Sequence, residues 1–142
     1  MHWFYGVQME KLMNISRRAM VPLAIGACLF ASLAIAGEKA SFSQPAFDTA
    51  QKAGKPILVE IAASWCPTCK AQAPILGELR GQPRFKDLTV FTVDFDSQKD
   101  ALKKFGAQMQ STLIVYKGGS EVGRSVGDTK KETIEALLAK SL

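Results

Sequence analysis

Cys66 and Cys69, with Pro67 and Thr68 between them, are the residues of this 142-residue chain best suited to covalent chemistry. Two cysteines three apart at a helix start lie on one face, with Cα atoms able to reach the ~5.5 Å that a disulfide needs. Cys66 would stand at the helix N-terminus, where unpaired backbone N–H groups and the macrodipole favour a thiolate. Cys69 would lie one turn in and be shielded. This asymmetry predicts an attacking and a resolving thiol: Cys66 attacks a substrate disulfide, a mixed disulfide forms, and Cys69 displaces the product. Pro67 suits the first helical turn, where its missing N–H costs nothing.

The pair has competing readings. A structural disulfide across so short a loop would restrict the unfolded chain little. A structural zinc site needs about four ligands, and beyond residue 36 the chain has two cysteines and no histidine. A metal site on these thiols would be shared between two chains. A module that carries copper or a similar soft ion on the dithiol is the alternative function.

The elements around the pair follow from hydrophobic pattern and turn chemistry. Ser43 to Ala53 reads as a short helix with Phe47 and Ala50 inward, ended by Gly54 and Pro56. Ile57 to Ala63 is nearly continuous apolar sequence, as in a central strand buried on both faces. The cysteine segment follows at once, then a helical pattern through Leu79, ended by Gly81 and Pro83. Leu88 to Phe95 is a second buried strand, and Ser97 to Phe105 a helix stopped at Gly106. Thr112 to Tyr116 and Glu121 to Val126 are strands joined by the turn Lys117-Gly118-Gly119-Ser120. Thr129 to Lys140 is an amphipathic helix carrying Ile134, Leu137 and Leu138, with Asp128 or Thr129 as its cap. Strands alternating with helices should be parallel, and the hairpin adds an antiparallel edge. The fold class is α/β: a mixed sheet of four or five strands flanked by helices.

Composition sets the frame. At 47% hydrophobic and 22% charged residues the chain is an ordinary globular one, long enough for one domain. Beyond Gly37 it carries 15 basic and 12 acidic side chains, intermixed, a balance that gives no basis for nucleic-acid binding. The first 36 residues read as an export signal: Arg17 and Arg18, an apolar run from Met20 to Ala36, and Ala34-Ile35-Ala36 as a cleavage site before the polar Gly37-Glu38-Lys39. Residues 37–142 are then the mature domain, in the periplasm. Met13 is a better start than Met1, so Met1 to Leu12 is expected to be a mis-assigned beginning. Ile25-Gly26-Ala27-Cys28 resembles a lipoprotein box, and a lipid anchor on Cys28 is the alternative.

Trp65-Cys66-Pro67-Thr68-Cys69-Lys70 has the Trp-Cys-x-x-Cys-Lys form of the thioredoxin family, which the sequence resembles over about 100 residues. Pro74, five past Cys69, matches the proline that kinks the family's active-site helix. Glu60 takes the place of its buried acid, and Phe105-Gly106, Thr112-Leu113 and Gly127 also match. Cys-Pro-Thr-Cys resembles the periplasmic thioredoxins of cytochrome c maturation, which are reductants, although their central insertion is missing here. The resemblance implies a thioredoxin fold and a thiol–disulfide oxidoreductase acting on protein disulfides through a Cys66/Cys69 redox couple. It implies no cofactor and no bound metal. A reductant in an oxidising compartment needs electrons from a membrane donor. The protein is expected to be a monomer.

Within that resemblance, Glu60 would relay a proton to or from Cys69. The lysine that family members often place near this acid is absent, with Thr92 in its position, so the acid is expected to lack its usual charge partner. Substrate would meet Trp65, Pro67, Gln110 and Ser111. The last is the largest departure: the family has a cis-proline just before Thr112-Leu113, and here Ser111 stands there. Serine restores a backbone N–H and brings a hydroxyl able to bond a thiolate or the substrate. A cis bond before serine costs ~2.5–4 kcal/mol, so the Gln110–Ser111 bond is expected to be trans.

Overall fold

A computed structural model describes residues 39–142; the expected export segment and cleavage site, Met13 and Cys28 lie outside the described residues. Along the chain these residues form β1 (Lys39–Ser41), α1 (Gln44–Lys52), β2 (Pro56–Ala62), α2 (Pro67–Arg80), β3 (Thr89–Asp94), α3 (Lys99–Phe105), β4 (Thr112–Lys117), β5 (Ser120–Val126) and α4 (Lys131–Ala139). A single 3-10 turn, Pro83–Phe85, links α2 to β3.

The apolar run Ile57–Ile61 becomes the middle of the sheet, because β-branched residues buried on both faces have no other place to go. Five strands lie in the order β1-β3-β2-β4-β5. β2 and β3 are parallel, β4 is antiparallel to both β2 and β5, and β1 runs parallel to β3 at the edge. Alternate side chains of β2 therefore face opposite layers. Ile57, Val59 and Ile61 pack with Phe47 of α1, Phe91 of β3 and Leu102 and Phe105 of α3. Leu58 packs on the other side with Leu76 and Leu79 of α2 and Ile134, Leu137 and Leu138 of α4. Glu60 shares the Leu58 side, which directs it under α2.

β1 is the element the pattern analysis passed over. Its three residues, Lys39, Ala40 and Ser41, are all exposed, so they carry no alternation to detect. Register pairs Lys39 with Val90 and Ser41 with Thr92. The start of α4 also differs from expectation. Lys130 precedes the helix without a side-chain cap, and Asp128 Oδ1 instead accepts from the Lys130 N–H at 3.0 Å, closing the turn before it. Among the described residues no helix is long and apolar enough to cross a membrane.

Candidate active site

β2 delivers the chain to the top of the sheet, and the Ala63–Trp65 loop turns it into α2. Cys66 is the residue that caps this helix, in extended backbone, and Pro67 opens the first turn as expected. The Cys66 N–H donates to the Ala63 carbonyl at 3.2 Å, which fixes the turn. The Cys69 N–H donates to Cys66 Sγ at 3.0 Å. Cys66 and Cys69 are joined as a disulfide, their Cα atoms 5.3 Å apart. A backbone donor aimed at one sulfur stabilises negative charge there when the bond opens. The expected difference in exposure is absent: Cys66 is 1% exposed and Cys69 6%. Both pack against Ala63, with Ala62 and Phe95 beside them. In the disulfide form the asymmetry is one of hydrogen bonding, not of burial.

Trp65 lies 54% exposed beside the pair, and its Nε1–H donates to Asp96 Oδ2 at 2.8 Å. Asp96 is held by the turn that follows β3. Asp94 Oδ1 accepts from the Ser97 hydroxyl at 2.5 Å, the Ser97 N–H at 2.8 Å and the Asp96 N–H at 3.1 Å. Those donors, the Ser97 hydroxyl first, hold the Asp94 carboxyl below its ordinary value of 3.8. Pro67 is exposed next to Cys66.

Glu60 is 3% exposed and has a charge partner after all. Lys39 Nζ reaches its Oε2 at 3.0 Å, and Thr92 Oγ1 donates to the same oxygen at 3.4 Å. The partner comes from β1 instead of β3: Glu60 pairs in register with Thr92, and Lys39, opposite Val90 two residues earlier on β3, reaches the carboxylate from the next strand over. Glu60, Lys39, Ala73, Gly77 and Arg80 line a cavity of about 50 Å³ under α2, and the buried Arg80 Nε–H has no protein partner. Its size and polarity suit a water molecule.

Ser111 is buried, and the Gln110–Ser111 bond is trans. Its φ of 55° makes it the one described residue other than glycine in the left-handed region. Its hydroxyl donates to the Gln110 carbonyl at 2.6 Å, so in this state it serves its own loop and neither a thiolate nor a substrate. The Ser111 carbonyl accepts from the Gly127 N–H at 2.9 Å and from Gln72 Nε2 at 3.2 Å. Thr112 Oγ1 donates to the Met109 carbonyl at 2.7 Å. Three successive carbonyls, of Met109, Gln110 and Ser111, are thus occupied from within the molecule.

A thioredoxin family model matches residues 38–140. The chain belongs to the thioredoxin family. A thioredoxin from Alicyclobacillus acidocaldarius is 35% identical over 96 residues, covering 68% of this chain and 90% of that one. Among solved structures, Trxlp from Edwardsiella tarda superimposes with a TM-score of 0.70 at 46% identity, over 71% of this chain and 98% of the other. A Nicotiana alata thioredoxin gives 0.63 at 30% identity, over 72% and 90%. The chain is a thioredoxin-type thiol–disulfide oxidoreductase whose dithiol is Cys66 and Cys69, on a thioredoxin fold.

Geometry adds five residues to those read from sequence. Asp96 anchors Trp65, and Lys39 pairs with Glu60. Met109 and Val126, both 54% exposed, flank the Ser111 loop, Val126 through its pairing with Thr112. Gln72 is fully buried in α2, on the stripe of Cys69, Leu76 and Leu79. A polar residue on an otherwise apolar helical stripe was the signal available for it. Among the described residues no three His, Cys, Asp or Glu side chains converge on a common point.

Proposed function

We propose that the protein reduces protein disulfides in the periplasm, with Cys66 as nucleophile and Cys69 as resolving thiol. The observation that carries the assignment is the 3.0 Å bond from the Cys69 N–H to Cys66 Sγ at the N-terminus of α2. Charge is favoured on Cys66, which makes it the better thiolate in attack. The Cys66 thiolate attacks one sulfur of the substrate disulfide, and the other sulfur leaves as a thiolate. Cys69, its proton passed to Glu60, then attacks Cys66 Sγ and releases the second substrate thiolate. Two electrons have moved to the substrate, and the Cys66–Cys69 disulfide remains. A membrane donor returns the dithiol state. The exposed Trp65 and Pro67, together with Gln110 and Ser111, form the surface that a substrate chain meets. The reducing direction rests on the Cys-Pro-Thr-Cys resemblance, and the periplasmic setting on Arg17, Arg18 and the apolar run to Ala36.

Insulin reduction by the purified protein, driven by a dithiol, tests the reading. Cys66→Ser should abolish turnover, and Cys69→Ser should accumulate mixed disulfides visible by mass spectrometry. Full activity in Cys66→Ser would overturn the nucleophile assignment. A potential more oxidising than that of the glutathione couple would reverse the proposed direction. The same spectrometry on exported material should find Gly37 first; a diacylglycerol on Cys28 would instead establish the lipoprotein.

A further inference from the structure

Gln72 sits one turn beyond Cys69, in the middle of an apolar helical face, and is 0% exposed. Both hydrogens of its amide are committed. Nε2 donates to the Ser111 carbonyl at 3.2 Å and to the Asp128 carbonyl at 2.8 Å. That orientation leaves Oε1 buried with no partner. An apolar side chain of the same length would bury no unpaired amide oxygen but would leave the Asp128 carbonyl without its donor, so the amide is set to serve those two carbonyls and its own oxygen bears the cost. What it secures is the loop. Ser111 stands in a left-handed conformation that β-carbon-bearing residues avoid, and such a residue persists only where its surroundings over-determine it. Gln72 and the Gly127 N–H supply that constraint at the Ser111 carbonyl, and the Asp128 bond ties the 127–128 turn to the same helix.

We propose that Gln72 is a positioning residue for substrate binding. Its amide does for the 109–112 loop what ring geometry cannot do at a serine, setting the loop against the helix that carries Cys66 and Cys69. The Met109, Gln110 and Ser111 carbonyls each accept a bond from within the molecule, so the loop is held from inside in the conformation in which it meets an extended substrate backbone. The proposal rests on the reading of Gln110 and Ser111 as substrate surface. It predicts discrimination: a disulfide within a polypeptide uses the loop, whereas a small aromatic disulfide such as Ellman's reagent has no backbone to lay on it.

The test compares kcat/KM for insulin with kcat/KM for Ellman's reagent, in wild type and in Gln72→Met, which keeps length and loses both donors. The ratio of the two should fall about tenfold in Gln72→Met, the value of roughly one hydrogen bond, and the fall should lie in KM for insulin. Equal losses on both substrates would mark Gln72 as merely structural and overturn the proposal, as would an unchanged ratio. If wild type reduces neither substrate, the oxidoreductase reading fails before this one is reached. A second measurement leaves Gln72 itself unchanged. In wild type the Gln72 side-chain NH₂ should exchange with solvent far more slowly than an exposed glutamine, and its resonances should shift when a cysteine peptide is trapped on the Cys69→Ser protein. Free exchange, or resonances that ignore the bound peptide, would overturn it.

Discussion

Lys39 and Glu60 meet across a strand that separates them in the sheet, an exposed ammonium on a carboxylate that is almost entirely covered. Lys39→Met would leave that carboxylate with the Thr92 hydroxyl alone. Breaking a fully buried pair costs about 3–5 kcal/mol; with Lys39 45% exposed, solvent screening reduces the expected loss to about 1–2 kcal/mol. Adding Glu60→Gln should recover most of it, because the buried charge is then gone. Urea unfolding of the two variants measures this, and a Lys39→Met protein as stable as wild type would show that the ion pair is not what shelters Glu60. Glu60→Gln should also slow insulin reduction roughly a hundredfold, at the low end of what a positioned proton carrier contributes. The pair illustrates what a linear reading misses. Glu60 is legible from its distance to Cys66, but its partner depends on a parallel register that no local pattern encodes.

At the scale of elements, the two long apolar strands and the helix that follows the cysteines announce themselves, because burial on both faces and glycine or proline at the ends leave few alternatives. The edge strand β1 does not, since three exposed residues offer neither alternation nor length. The turn after β3 was equally silent. Asp94, Asp96 and Ser97 look like ordinary loop polar residues until the backbone brings Asp96 under Trp65. That turn has a definite acid response. Asp94 titrates below 3.8 when folded, so its contribution to stability is complete above the ordinary carboxylate range and is lost as pH falls through 3.8 and beyond. The stability advantage of wild type over Asp94→Ala should accordingly be constant near neutrality and shrink at acid pH. Unfolding curves across that range decide it; an advantage independent of pH would show that the Ser97 bonds do not favour the ionised form.

Residues 39–142 form one sheet with a core on each side. Ile114 belongs to the layer that includes Phe47 and Phe105, and Ile134 to the layer of Leu79 and Leu138; both are fully buried. Ile114→Val and Ile134→Val should each cost about 0.5–1.5 kcal/mol. With the sheet between them, the double variant should lose the sum of the two to within ~0.5 kcal/mol, by denaturant unfolding. A clear excess would mean the layers communicate through the sheet. They differ in one respect that bears on the redox centre. The Glu60 carboxylate belongs to the α2 side, but its counterion is carried by a three-residue strand that hydrogen-bonds to β3 alone. Sheet margins of that kind open at far lower free-energy cost than the centre, which opens only with the whole fold. The charge balance at Glu60 under α2 therefore breathes with an exposed sheet edge, and a load attached just before Lys39, such as an affinity tag, a surface tether or a bound chaperone, pulls directly on it.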